Sequence, residues 1–145
     1  MGDRPILGRA DLRLLLTEYL PHVRGIDVAE VTPEGVVFTA DPAGLSTRPG
    51  GTVSGPAIFA FADVSAYLSV SAYLGTTPAA TLTSSSISFL EAVEPRELRA
   101  RITAVRIGRR TGVFTAHVED AQGCAVALAT LHFAFPGSRR RGGGA

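Results

Sequence analysis

The run from Ser54 to Leu74, SGPAIFAFADVSAYLSVSAYL, constrains this chain more than any other segment. A Ser-Gly-Pro turn opens about five turns of almost wholly apolar helix. Pro56 fits the first helical position, where a missing N–H does no harm, and Gly75 supplies the stop. A helix apolar on nearly every side has to be covered on more than one side. In its middle stands a single carboxylate, Asp63. Burying that acid ionised and unpaired is unfavourable by several kcal/mol. Either a hydrogen-bond partner holds it, or it takes part in chemistry.

The flanking segments supply the cover. Leu12, Leu15, Leu16, Tyr19 and Leu20 recur at helical spacing, predicting a helix over 11–20 with Asp11 as N-cap and Pro21 as its end. Two strands are expected over 26–32 and 36–41, around a Pro33-Glu34-Gly35 turn. A Gly/Pro-rich loop over 42–55 follows, of a length often tied to function. The central helix is expected over 56–74. Four strands come next, over 80–91, 97–107, 113–120 and 124–135, the last three joined by hairpin-like turns. No internal repeat is present. The order predicts an α+β fold in which a curved antiparallel sheet wraps a long central helix. One domain is expected over 1–137, with a disordered Arg/Gly tail over 138–145.

Composition narrows the function. The chain is 46% hydrophobic and only 19% charged, apolar for 145 residues, which points to surface buried by self-association. No apolar run reaches the ~18 residues of a membrane span without Ser, Asp or Pro, so no membrane partner is expected. The N-terminus lacks the apolar stretch of a secretory signal, which points to a cytoplasmic protein. Cys124 is the one cysteine; it excludes an intrachain disulfide and reads as a packed thiol. All 14 basic residues are Arg, and Arg139, Arg140 and Arg141 account for three of them. With a net charge of +1, the remainder is slightly acidic, against a nucleic-acid binder. His117 and His132 alternate with apolar residues on strands, and His22 follows Pro21 at a helix end. No His/Cys/Asp group has metal-ligand spacing, so neither metal nor cofactor is expected.

Two stretches carry a resemblance. Residues 50–63 read GGTVSGPAIFAFAD, and Ser86-Ile87-Ser88-Phe89-Leu90 is followed by Val93 and Pro95. Together with the element order over roughly 10–136, these are similar to the hotdog fold and, within it, to PaaI-like acyl-CoA thioesterases. The family has a His-Gly-Gly turn, a short apolar stretch and an acid on the helix. Its third strand often ends in Ile-x-Phe-Leu with Pro just beyond. The resemblance implies that Asp63 is general base or nucleophile and that the Gly55 N–H polarises the thioester carbonyl. It sets Arg48 where the family frequently has an active-site Asn, and Ser54 where it has His. Arg48 is expected to lower the pKa of a nearby acid. Thr81, Thr83 and Ser84 would begin the strand beside Asp63, and Arg109 and Arg110, with Arg106, would meet the phosphates of coenzyme A.

Geometry adds a condition. Gly55 and Asp63 are eight residues apart, roughly 12 Å along a helix axis, too far for both to reach one carbonyl easily within a single chain. The resemblance implies a homodimer with antiparallel central helices, each site shared between two chains, and a further pairing into a homotetramer. Phe59, Phe61, Tyr67 and Tyr73 would line an acyl pocket or pack as core. The expected activity is acyl-CoA hydrolysis. A hotdog hydratase is disfavoured, since no His lies between His22 and His117. A non-catalytic acyl-CoA or acyl-lipid binder on the same fold is the alternative.

Overall fold

The computed structural model describes residues 4–136; the tail expected over 138–145 lies outside the described residues. Element order is α1 (Arg9–Tyr19), β1 (Ile26–Thr32), β2 (Gly35–Ala40), a 3-10 turn (Pro42–Gly44), α2 (Gly55–Leu74), β3 (Thr81–Phe89), β4 (Leu98–Ile107), β5 (Thr111–Asp120) and β6 (Ala125–Ala134). The six strands form one sheet in the order β1-β2-β4-β5-β6-β3, antiparallel throughout. Every pairing except β2–β4 carries a register shift. Each extra residue adds local bend and twist, which curls the sheet around α2. This is the hotdog fold.

The core lies between α2 and the sheet. Alternate residues on the inner face, among them Phe38, Leu98, Ile102, Phe114, Val118, Leu131 and Phe133, are at most 1% exposed. Phe114 meets Phe133 edge-on at 6.0 Å and Tyr73 at 5.9 Å. Phe61 and Tyr73 are therefore core residues rather than pocket lining. Each fully buried Phe contributes roughly 1.5–3 kcal/mol. By length and hydropathy alone α2 passes as a membrane span, contrary to the sequence expectation, yet 61% of its most apolar window is buried inside this fold.

The first helix corrects its expected cap. It starts at Arg9 after Gly8, and Asp11 sits in its first turn, where its carboxylate accepts from the Gly8 N–H at 3.0 Å. Leu12 and Leu15 are buried, and the Arg9 Nε donates to the Val28 carbonyl at 2.9 Å, fixing α1 on β1. The loop expected over 42–55 is more ordered than its composition suggests. Thr47 bridges Val53, and the Gly51 N–H closes onto the Arg48 carbonyl at 2.9 Å. Pro49 and Gly50, the latter at φ 104°, occupy the two central positions of that turn, and Gly50 meets the demand for positive φ.

Candidate active site

The N-terminus of α2 accounts for nearly all of its own donors. Ser54 is the N-cap, its Oγ accepting from the Ala57 N–H at 3.2 Å. The Ile58 N–H donates to the Ser54 carbonyl at 3.1 Å, and the Ser54 N–H to the Ser46 carbonyl at 2.9 Å. Pro56, the second helical residue rather than the expected first, has no N–H to satisfy. Among the described residues this leaves Gly55 as the one first-turn donor without a partner. It lies at the positive end of the helix dipole.

Two turns along, Asp63 is half-buried. Burial alone pushes its carboxyl above the ordinary carboxylate range. Among the described residues it makes no hydrogen bond and no ion pair, and Arg48 does not act on it. Arg48 stands exposed in the loop before α2, so the expected lowering is absent within one chain. A cavity of about 310 Å³ opens on Asp63, lined also by Leu20, Tyr67, Thr81, Leu82 and Phe133. The Tyr67 hydroxyl donates to the Pro78 carbonyl at 2.7 Å, and its ring lies 6.2 Å from that of Tyr19. A larger opening of about 890 Å³ lies between α1 and the β1–β2 side of the sheet. Charges of both signs line it, and Arg13 pairs there with Asp27 at 3.0 Å. The smaller cavity is the better site, because it holds the unpaired acid.

The register of β3 decides which hydroxyls reach α2. Thr81 lines the Asp63 cavity as expected. Thr83 does not: it is the extra residue between Leu82, paired with Phe133, and Ser84, paired with His132. Its Oγ1 donates to the His132 carbonyl at 3.2 Å. Ser84 shares the outer face with exposed His132. This corrects the expectation that both lie beside Asp63. Ser85, opposite buried Leu131, takes the inner face instead. No sequence signal marks it, because the bulge sets the phase. Arg109 and Arg110 sit exposed in the β4–β5 turn, and Arg106 is exposed just before it. Thr111, Ala134 and Thr81 form one row across three strands, so this turn lies at the same end of the sheet as the Asp63 cavity. Two strand spacings separate them, about 10 Å. Among the described residues no three of His, Cys, Asp and Glu gather as a metal site.

Similarity to known proteins bears on the family and the fold. The family model of the thioesterase superfamily matches residues 50–127, more than half of the chain and inclusive of Gly55, Asp63 and all of β3. A Silicibacter protein assigned as a thioesterase is 28% identical over 94% of this chain and 96% of its own, with a TM-score of 0.83. A thioesterase from Haemophilus influenzae is 17% identical, covers 97% and 98%, and has a TM-score of 0.80. Zebrafish thioesterase superfamily member 2 is 14% identical, covers 90% and 99%, and has a TM-score of 0.77. The latter two speak for the fold. No curated protein matches the sequence.

Proposed function

Since the chain belongs to the thioesterase superfamily, we propose that it hydrolyses an acyl-CoA thioester to a free acid and coenzyme A, in the manner of PaaI-like enzymes. One observation carries this reading: a half-buried acid without a partner lies on the same helix as an unpaired N-terminal amide. The Gly55 N–H donates to the thioester carbonyl oxygen, where negative charge grows as the carbonyl carbon is attacked. A fixed donor at a helix N-terminus favours that charge, and losing one such donor typically raises a barrier by about 3 kcal/mol. Asp63 takes a proton from the attacking water, or attacks directly and is released by water in a second step. Coenzyme A leaves as a thiolate. A thiol titrates near 8.5, so the departing sulfur needs little help from a general acid.

The two groups act across a dimer. Eight residues of helix keep Gly55 and Asp63 roughly 12 Å apart in one chain. Antiparallel α2 helices about a two-fold axis would set Gly55 of one protomer against Asp63 of its partner. In support, the flank of α2 beside the edge strand β3 is left open: Pro56 and Ala60 are exposed, Asp63 and Val64 half-buried. Pairing of dimers into a tetramer completes the proposed assembly, in the cytoplasm. Ser54 serves as a cap that aims the turn. Arg109 and Arg110 engage the phosphates of coenzyme A, and Arg48, Thr81 and inner-face Ser85 border the acyl group.

The test is a free-thiol assay across aryl-, short-, medium- and long-chain acyl-CoA substrates, with Asp63→Asn beside the unaltered protein. Turnover that Asp63→Asn abolishes is the expected result. Undiminished turnover in that variant sinks the role of Asp63. Tight binding of a non-hydrolysable acyl-CoA analogue with no turnover of any thioester would instead establish a non-catalytic acyl-CoA binder.

A further inference from the structure

Phe89, the last residue of β3, is half explained by the fold. Register pairs it with buried Ala127, which puts its side chain on the sheet face that covers α2. Nevertheless 52% of it is exposed, whereas Phe38, Phe61, Phe114 and Phe133 are at most 1% exposed. Its backbone is held at the strand end, where the following Leu90 N–H donates to the Val126 carbonyl at 2.8 Å. Its ring tip rests on the first residue of α2. A Cβ at position 55 would stand 3.3 Å from the ring Cζ, tighter than most real contacts, and 3.5 Å from Cε1, an ordinary van der Waals contact. Gly55 is not among the glycines with positive φ. The backbone there would accept any residue, so a side chain at position 55 would meet its resistance from the Phe89 ring, which would have to shift by a few tenths of an ångström.

We propose that Phe89 is a positioning residue for the Gly55 amide. Its ring fills the space beside the Gly55 Cα and holds the Ser54–Pro56 turn so that the unpaired N–H points at the substrate carbonyl. The ring also keeps water off that side of the donor, which strengthens a hydrogen bond made there. This rests on the reading of Gly55 as the donor to the carbonyl.

The experiment compares the full-length protein with Phe89→Leu, Phe89→Tyr, Gly55→Ala and the Phe89→Leu/Gly55→Ala double variant. Rates are read on the acyl-CoA that the unaltered protein cleaves fastest. The Gly55 amide signal is read in a nitrogen-15 correlation spectrum. Phe89→Leu should lower kcat roughly 10-fold with KM within about twofold, as misplacement of a fixed donor does. Phe89→Tyr should keep the rate. Because Gly55→Ala acts by pushing the ring, the double variant should be no more than about twofold worse than the poorer single variant. The Gly55 signal should move in Phe89→Leu, through loss of the ring's magnetic field. Losses that multiply in the double variant overturn the proposal. So does an effect on KM alone, which would make Phe89 a substrate contact. If no thioester is cleaved at all, the functional reading fails separately. The Gly55 signal then decides, and an unmoved signal in Phe89→Leu overturns the positioning role.

Discussion

Two aspartates on opposite sides of the core meet opposite surroundings. Asp120, 3% exposed at the end of β5, is satisfied on both oxygens. Its Oδ1 accepts from the Cys124 N–H at 2.9 Å and the Gln122 N–H at 3.0 Å, and its Oδ2 pairs with Arg96 at 3.2 Å. The Cys124 amide, followed by the other donors, holds its carboxyl below the ordinary range. Asp63, on α2, has burial without donors, and its carboxyl is pushed up. One acid ties a hairpin turn together; the other is kept available. What separates the satisfied from the unpaired carboxylate here is the supply of N–H groups, not depth.

The sharpest way to break this contrast is by exchange of activity. Asp63→Asn should lower kcat by about 10²–10⁴, the usual worth of a general base. Asp120→Asn should leave the rate of the folded enzyme unchanged in the same assay. Next comes pH. The rate should fall about tenfold per unit once pH drops below the Asp63 pKa, with an inflection above the ordinary carboxylate range; an inflection at or below that range would place Asp63 among satisfied acids like Asp120.

Stability tests the other member. Asp120→Ala strands two turn amides and Arg96, and should lower the melting temperature by several degrees. Because the folded pKa of Asp120 is depressed, its contribution is present above the unfolded value and lost as pH falls through the folded one. Acid titration of the melting temperature should show this loss in the unaltered protein and not in Asp120→Ala. Removing the α2 cap with Ser54→Ala should cost about 1 kcal/mol in denaturant unfolding. The smallest effect is a gain. Asp63→Asn removes an ionised group that burial disfavours, so melting should rise slightly at neutral pH. That gain should fade as pH falls through the raised pKa towards the ordinary value.

Much of this arrangement was legible in residue pattern. The span of β1 is read directly, and that of α2 to within one residue at its start, from Pro56 and Gly75. Asp63 stands out because one charge interrupts an apolar helix. What pattern does not carry is anything set by pairing. Strand order, with β3 at the edge beside β6, depends on contacts made far along the chain. The faces of Thr83, Ser84 and Ser85 depend on a bulge that three consecutive serines hide. The cap of α1 escaped because Asp11 satisfies the Gly8 N–H from inside the first turn, reversing the usual direction of capping. The isolation of the Gly55 N–H required knowing where Ser46, Ser54, Ala57 and Ile58 spend their own hydrogen bonds.

The bulge at Thr83 has a consequence for how this strand tolerates change in length. Leu82 and Ser85 both face α2, with two residues between them where a regular strand has one. Removing Thr83 would restore plain alternation and leave Leu82, Ser85, Ile87 and Phe89 facing the same way. Removing Ser86 instead would also absorb the bulge and keep Leu82, Ile87 and Phe89 towards α2, with Ser84 in place of Ser85 on that face. A strand one residue shorter anywhere between Leu82 and Ile87 can therefore keep Leu82, Ile87 and Phe89 facing α2.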